Sequence, residues 1–338
     1  METTEILKNI GERTGGDIYL GIVGPVRVGK STFIKKFMEQ AVIPYVEDEY
    51  EKGRMIDELP QSGEGKTIMT TEPKFVPNNA ATIAFDDGFT VKVRLVDCVG
   101  FVIPEAKGYK DENGMRMVRT PWYDEAIPFN EAAKTGTQKV IQDHSTIGIV
   151  ITTDGSIADL PRESYIEAET EVIEELTQIG KPFIIIVNSK DPASIQCRSV
   201  VDKLKEKTAV PVLAMAVNRL DENDIHVLLR EALYEFPVSE INVQMPKWVS
   251  VLTDEHWLKQ SVNSSIEESM KAITKLREVE GIVDILNENE YVEKANLATV
   301  DTGKGVAVVD LEVKSGLYNQ VLKEIIGQDI TDKAQLMQ

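Results

Sequence analysis

The chain has 338 residues, 37 Lys and Arg against 56 Asp and Glu, and a formal net charge of -19, with 42% hydrophobic and 28% charged residues. That length suits two domains that bury their own cores, and that acidity argues against a surface that neutralises nucleic-acid phosphates or docks unaided on anionic lipid. Two cysteines, Cys98 and Cys197, each near an apolar run, fit reduced thiols and give neither a disulfide framework nor zinc spacing.

The first residues, Met1-Glu2-Thr3-Thr4-Glu5, lack the basic start and apolar stretch of a signal peptide. The longest apolar runs, such as Phe183 to Val187, are too short to span a bilayer, so the expected location is the cytoplasm. An apolar strand, Ile18–Val23, runs into Gly24-Pro25-Val26-Arg27-Val28-Gly29-Lys30-Ser31, followed by a helical pattern of Phe33, Ile34 and Phe37. This strand, loop and helix match the phosphate-binding pattern GxxxxGK[ST], whose glycines let backbone N–H groups turn inward around phosphates. Gly24, Arg27, Val28, Gly29, Lys30, Ser31 and Thr32 are therefore the expected phosphate-binding residues. Lys30 would reach the β- and γ-phosphates and Ser31 would ligate Mg²⁺. Lys66-Thr67-Ile68-Met69-Thr70-Thr71-Glu72-Pro73 reads as a polar loop. In GTPase-type sites a threonine there ligates Mg²⁺ and senses the γ-phosphate, and Thr70 and Thr71 are the candidates, with Thr67 a weaker third.

A second strand, Val91–Val96, ends in Asp97-Cys98-Val99-Gly100, a DxxG in which Asp97 would hold Mg²⁺ through water and the Gly100 N–H could bond the γ-phosphate. Phe101 stands where many GTPases carry the glutamine that orients the attacking water. Water positioning is then expected from Thr70 or Thr71. The stretch from Phe101 to Gln142 is long for a loop and reads as a folded surface insertion. Ile147–Thr152 is a third strand. Pro161 opens an acidic helix whose inward face is expected to be Tyr165, Ala168, Val172, Leu176 and Ile179, with its glutamates on the solvated side. The fourth strand, Phe183–Val187, leads into Asn188-Ser189-Lys190-Asp191. Compared with the guanine-reading NKxD, Asn188 and Asp191 keep their separation, but Ser189 replaces the lysine that flanks the base. These residues leave ATP and GTP both open. Val210–Ala214 is expected as a fifth strand.

After Glu235-Phe236-Pro237 the pattern changes. Val243–Leu252 reads as a strand and Thr253-Asp254-Glu255 as a cap. A long helix follows with Leu258, Val262, Ile266, Met270, Ile273 and Leu276 on one face. A strand near Tyr291–Thr299, a turn at Asp301 to Gly305, a strand Val306–Val313 and a helix Leu317–Ile326 complete most of a split βαβ arrangement. Trp248 and Trp257 are expected in this core. The expected fold class is α/β, a doubly wound phosphate-loop NTPase sheet over 1–237 with an insertion around 101–142. A smaller, incomplete α+β domain is expected over 238–338.

These residues resemble the stage IV sporulation protein A family. The likeness runs through the loop Gly24 to Ser31 with Thr32, Phe33 and Ile34, the pair Thr70 and Thr71, Asp97 to Gly100, and Pro211 to Met215. It continues through Arg230-Glu231-Ala232-Leu233-Tyr234-Glu235-Phe236-Pro237 and His256-Trp257-Leu258. The resemblance implies a fold derived from translation-factor-like GTPases with ATP in place of GTP, and hydrolysis that drives self-assembly into a homopolymer, the basement layer of the spore coat. It implies Lys30 for nucleotide binding, Asp97 for Mg²⁺, and Thr70 and Thr71 as the link from γ-phosphate to hydrolysis and polymerisation. It also implies coat-protein partners and a small amphipathic membrane peptide on the mother-cell side of the outer forespore membrane. In the family these contacts depend largely on a C-terminal domain, which is expected to be absent from this sequence. Arg27 stands where some translation-associated GTPases carry an asparagine that helps hold a catalytic potassium ion. A fixed positive charge there predicts potassium-independent hydrolysis. The alternatives are a GTPase switch in ribosome assembly, disfavoured by the altered base motif and the acidity, and a non-catalytic nucleotide-bound scaffold.

Overall fold

The computed structural model describes residues 2–60, 73–98, 100–103, 110–111, 114–120, 122–158 and 160–327. They fall into two compact units, Met1–Glu235 and Phe236–Gln338.

The first unit runs α1 (Thr3–Thr14), β1 (Asp17–Val23), α2 (Lys30–Phe37), α3 (Glu49–Glu58), β2 (Lys74–Ala84) and β3 (Thr90–Asp97). Four short strands follow, β4 (Lys110–Asp111), β5 (Gly114–Met115), β6 (Met117–Thr120) and β7 (Tyr123–Pro128), and then α4 (Phe129–His144). The unit continues with β8 (Ile147–Thr153), α5 (Ile166–Ile179), β9 (Phe183–Asn188), α6 (Ile195–Lys207), β10 (Val212–Met215) and α7 (Glu222–Tyr234). The main sheet has the order β10-β9-β8-β1-β3-β2, parallel throughout except for β2, which runs antiparallel to β3. Every residue of β8 and β9 is buried, including the polar ends Thr152, Thr153 and Asn188, as expected of strands whose apolar runs are covered on both faces.

Two glycines show how tightly the covering helices press. A Cβ on Gly11 of α1 would lie 2.3 Å from Val91 Cγ1, and one on Gly21 of β1 would lie 2.3 Å from Ser145 Oγ and 2.6 Å from Ile141 Cδ1. Ile18 pairs with Val93, so Val91 and Gly21 point to opposite faces, and α1 and α4 cover opposite sides of the sheet. The strand order reverses at β1, the place where open α/β sheets bind ligands at their carboxyl edge.

Several expected boundaries move. The strand expected at Val210–Ala214 is Val212–Met215, because Pro211 has no N–H to give the ladder. The stretch expected as a surface insertion ends as a core layer, since Phe129, Ala132, Ala133, Val140 and Ile141 of α4 are all buried. Of the expected inward face, Tyr165 just before α5 and Ala168, Val172 and Leu176 within it are buried and Ile179 is half-buried, but Glu169 and Glu175 are buried too. Their carboxylates come inside because each has a cation. Glu169 pairs with Arg162 at 2.6 Å, and Glu175 pairs with Lys134 of α4 at 2.9 Å.

The second unit contains β11 (Glu240–Gln244), α8 (Lys247–Ser250), α9 (Trp257–Ala272), α10 (Glu280–Asn287), β12 (Val292–Asp301), β13 (Val306–Val313) and α11 (Leu317–Ile326). Its sheet is β11-β13-β12, with β11 parallel and β12 antiparallel to β13. The strand expected over Val243–Leu252 stops at Gln244, because Pro246 opens α8. The cap of α9 is His256, whose Nδ1 accepts the Leu258 N–H, rather than Thr253 to Glu255. Ile273 and Leu276 fall outside α9. There Glu278 accepts the Thr274 and Lys275 N–H groups and starts a new turn ahead of α10. Leu258, Val262, Ile282, Leu286 and Val309 form the core of this unit, with Trp248 and Trp257 packed against it.

Candidate functional site

The loop between β1 and α2 is held in a conformation that few residues accept. Gly24 has φ 139° and Gly29 φ 97°, while Arg27, at φ 65°, is the one non-glycine residue with positive φ among those described. A left-handed conformation costs an L residue about 1–2 kcal/mol, so the surroundings must hold Arg27 there. They do so through backbone pairing: the Val26 N–H donates to Phe101 O at 2.9 Å, and the Phe101 N–H donates to Gly24 O at 3.1 Å. A Cβ at Gly24 would meet Ile151 O at 2.1 Å, one at Gly29 would meet Asn188 Nδ2 at 2.5 Å, and one at Gly100 would meet Lys30 Nζ at 2.5 Å. Close backbone approach requires glycine at 24 and, through Val26 Cα at 2.8 Å, at 100, while the left-handed φ adds to the crowding at Gly29.

Lys30 opens α2 and is 8% exposed. Its Nζ donates to Pro25 O at 2.7 Å and Gly24 O at 3.2 Å. Burial pushes its pKa below the ordinary lysine value, with Asp97 opposing the shift. The next residue, Ser31, donates from Oγ to Asp97 Oδ2 at 2.8 Å. Burial pushes the Asp97 carboxyl up, while Lys30, the Ser31 hydroxyl and Lys74, its partner across from β2, pull it down. Ser31 and Asp97 open onto a cleft of about 660 Å³, also lined by Glu58, Lys74, Phe75 and Asn78. A buried ammonium bonded to carbonyls, beside a serine and a carboxylate on an open cleft, suits an anion accompanied by a divalent cation. Thr32 lies half-buried on α2, Val28 is fully buried, and Phe101 is 4% exposed with its backbone in the loop pairing. Thr70 and Thr71, like Thr67, lie outside the described residues.

The carboxyl ends of β8, β9 and β10 supply the other half of the site. Asn188 is buried; its Nδ2 donates to Val28 O at 2.9 Å and its Oδ1 accepts the Val217 N–H at 3.2 Å. It thus braces the phosphate-type loop against the turn after β10. Asp191 is exposed, and its Oδ1 accepts the Ala193 N–H at 3.1 Å. Sequence reasoning misses Asp154, at the end of β8, which is 1% exposed and accepts from Ser189 Oγ at 2.6 Å and Ser156 Oγ at 2.6 Å. No motif marks it; the pairing spans 35 residues and exists only in the fold.

A family model described as stage IV sporulation protein A, ATPase domain, matches residues 1–237, and one described as its middle domain matches residues 238–338. This chain belongs to the stage IV sporulation protein A family. Stage IV sporulation protein A of Bacillus subtilis (strain 168) is 55% identical over 338 residues, all of this chain and 69% of that protein. The Bacillus anthracis protein of the same name is also 55% identical, over 337 residues and 68% of its length. That of Clostridioides difficile (strain 630) is 46% identical over 332 residues, covering 98% of this chain and 68% of that protein. Among solved structures, a crystal structure of an SsGBP variant aligns over 68% of this chain and 60% of that one, at 15% identity and a TM-score of 0.35. The family description gives residues 1–237 as an ATPase domain, which implies nucleotide use and, ordinarily, Mg²⁺. Among the described residues, no helix is long and apolar enough to cross a membrane.

Proposed function

We propose that residues 1–237 are a phosphate-loop ATPase domain of translation-factor-like ancestry, and that hydrolysis switches the chain into a homopolymer of the spore-coat basement layer. The supporting observation is the Ser31 Oγ to Asp97 Oδ2 pair at 2.8 Å on an open cleft, next in sequence to the buried ammonium of Lys30 in the glycine loop. Phosphate oxygens would replace the Gly24 and Pro25 carbonyls as partners of Lys30 Nζ, whose charge offsets that of the triphosphate. Gly24, Val28, Gly29, Thr32 and Gly100 would form the backbone cradle around it. Mg²⁺ held at Ser31, Thr70 and Asp97 would neutralise charge developing between the β- and γ-phosphates. Asp97 orients the Ser31 hydroxyl at the edge of the cleft. Thr70 and Thr71 sense the γ-phosphate and place the attacking water, since Phe101 offers no polar group for that task. Arg27, fixed at φ 65°, supplies a positive charge and makes hydrolysis independent of potassium.

Asn188 holds the loop while Asp191 faces the base, and ATP is preferred because Ser189 removes the lysine that flanks guanine in GTPases. The retained Asn188 to Asp191 spacing is the one feature that favours a GTPase instead. The partners are further copies of the chain, coat proteins and a small amphipathic membrane peptide, on the mother-cell side of the forespore membrane. The test is phosphate release from ATP and GTP, with sedimentation in ATP, ADP or no nucleotide. ATP preference with ATP-dependent pelleting is expected. GTP preference would favour the ribosome-assembly switch, and absence of turnover would favour a scaffold. Thr70→Ala with Thr71→Ala should keep ATP binding and slow turnover; loss of binding would remove the sensing role.

A further inference from the structure

We propose that Asp154 is a positioning residue that sets the loop reading the nucleobase, acting through two serine hydroxyls; this rests on the nucleotide reading above. The geometry has a matched form. Asp154 Oδ2 accepts the Ser189 hydroxyl at 2.6 Å, and Ser189 Oγ accepts the Asp191 N–H at 3.1 Å. Asp154 Oδ1 accepts the Ser156 hydroxyl at 2.6 Å and the Ser156 N–H at 2.9 Å, and Ser156 Oγ accepts the Lys190 N–H at 3.0 Å. An ionised carboxylate only accepts, so both hydroxyl protons point at Asp154 and both oxygens turn lone pairs to the backbone of the base loop. The Asp154 main chain joins in, its carbonyl accepting Gln196 Nε2 at 2.7 Å from the start of α6. Arg219 Nη2 donates to Lys190 O at 2.7 Å and holds the loop from the other side.

Asp154 and Ser189 are each 1% exposed, so the carboxylate and the Ser189 hydroxyl lie beneath the loop. What it orients is exposed Asp191, whose Oδ1 is already turned toward the Ala193 N–H. A purine N–H donor must meet Asp191 Oδ2, and a small tilt of the 190–191 backbone would move that oxygen out of line. Ser189 is thus more than a missing lysine. Its hydroxyl is the connection between the end of β8 and the residue that meets the base.

The test compares binding of Mg-ATP with binding of Mg-tripolyphosphate, which has no base, in the full chain and in Asp154→Asn, Ser189→Ala and Ser156→Ala. An asparagine brings an N–H₂ against one hydroxyl and forces it to turn, whereas the serine variants leave the carboxylate in place. The expected result is about a tenfold loss of ATP affinity in each variant, as losing one well-made hydrogen bond gives, with tripolyphosphate affinity unchanged. Ser189→Thr, which keeps the hydroxyl, should restore ATP binding. Equal losses for both ligands, or no loss for either, would overturn the positioning role, and the serine variants decide the matter if Asp154→Asn does not fold. If the unaltered chain binds neither ligand, the nucleotide reading itself fails. If it binds tripolyphosphate as tightly as ATP, the cleft holds phosphates but Asp191 reads no base, and the inference alone falls.

Discussion

At the scale of single residues, the site holds groups that are costly to bury without a ligand. Desolvation disfavours the charged forms of both Lys30 and Asp97, and each partly compensates the other. Asp97→Asn should therefore stabilise the chain without nucleotide by about 1 kcal/mol, a Tm rise of about 2–4 °C in a unit of this size, while weakening Mg²⁺-dependent nucleotide binding. A melting curve with and without Mg-ATP checks both halves; a lower Tm without ligand would contradict the desolvation argument. Gly29 is constrained twice, by φ 97° and by the 2.5 Å approach of its absent Cβ to Asn188 Nδ2. Gly29→Ala should lower stability by about 1–2 kcal/mol and displace Asn188 from Val28 O. Denaturant titration measures the first effect, and the accompanying loss of ATP affinity reports the second.

At the scale of elements, the join between α4 and α5 carries a prediction with a definite pH sign. Lys134 donates to Glu171 at 2.9 Å and forms an ion pair with Glu175 at 2.9 Å; the Lys134 side chain is 45% exposed and that of Glu175 only 7%. Burial raises the Glu175 pKa and Lys134 lowers it. A carboxyl with a raised folded pKa favours folding at acid pH, and that contribution is lost as pH rises through the raised value. Removing Lys134 raises the pKa further, so Lys134→Ala should cost about 1–2 kcal/mol at pH 8 and close to nothing at pH 4, where Glu175 is protonated. Equal Tm losses at both pH values would contradict this. The same join shows where sequence stops being informative. The unbroken apolar runs of β8 and β9, the alternation in β3 and the glycine-lysine loop are local signals, and each fell where expected. That Glu169 and Glu175 face inward depends on Arg162 and on Lys134 of another helix, which no period in α5 contains. The serine relay of Asp154 is invisible for the same reason, its members being unremarkable polar residues until β8 and β9 pair. In the second unit, periodicity carried the expected helix past Ala272 because Ile273 and Leu276 fit its face. Glu278 overrides that pattern by capping a fresh turn.

At the scale of the whole molecule, two units each bury a core of their own, and the chain carries a net charge of -19. Separate cores predict that residues 1–235 alone remain folded and bind Mg-ATP with the affinity of the full chain, measurable by calorimetry; an unfolded fragment would contradict this. Like-charged copies repel at low ionic strength, so ATP-dependent pelleting should increase when salt rises from about 20 to about 150 mM, as screening shortens the repulsion. The central claim is that the glycine loop with Lys30, beside the cleft of Ser31 and Asp97, hydrolyses ATP. The most direct measurement is phosphate release from Mg-ATP and Mg-GTP by the full chain, beside the Lys30→Ala variant. Turnover of ATP in preference to GTP, abolished together with nucleotide binding in Lys30→Ala, is the predicted result. Turnover that survives Lys30→Ala, or that prefers GTP, would contradict it.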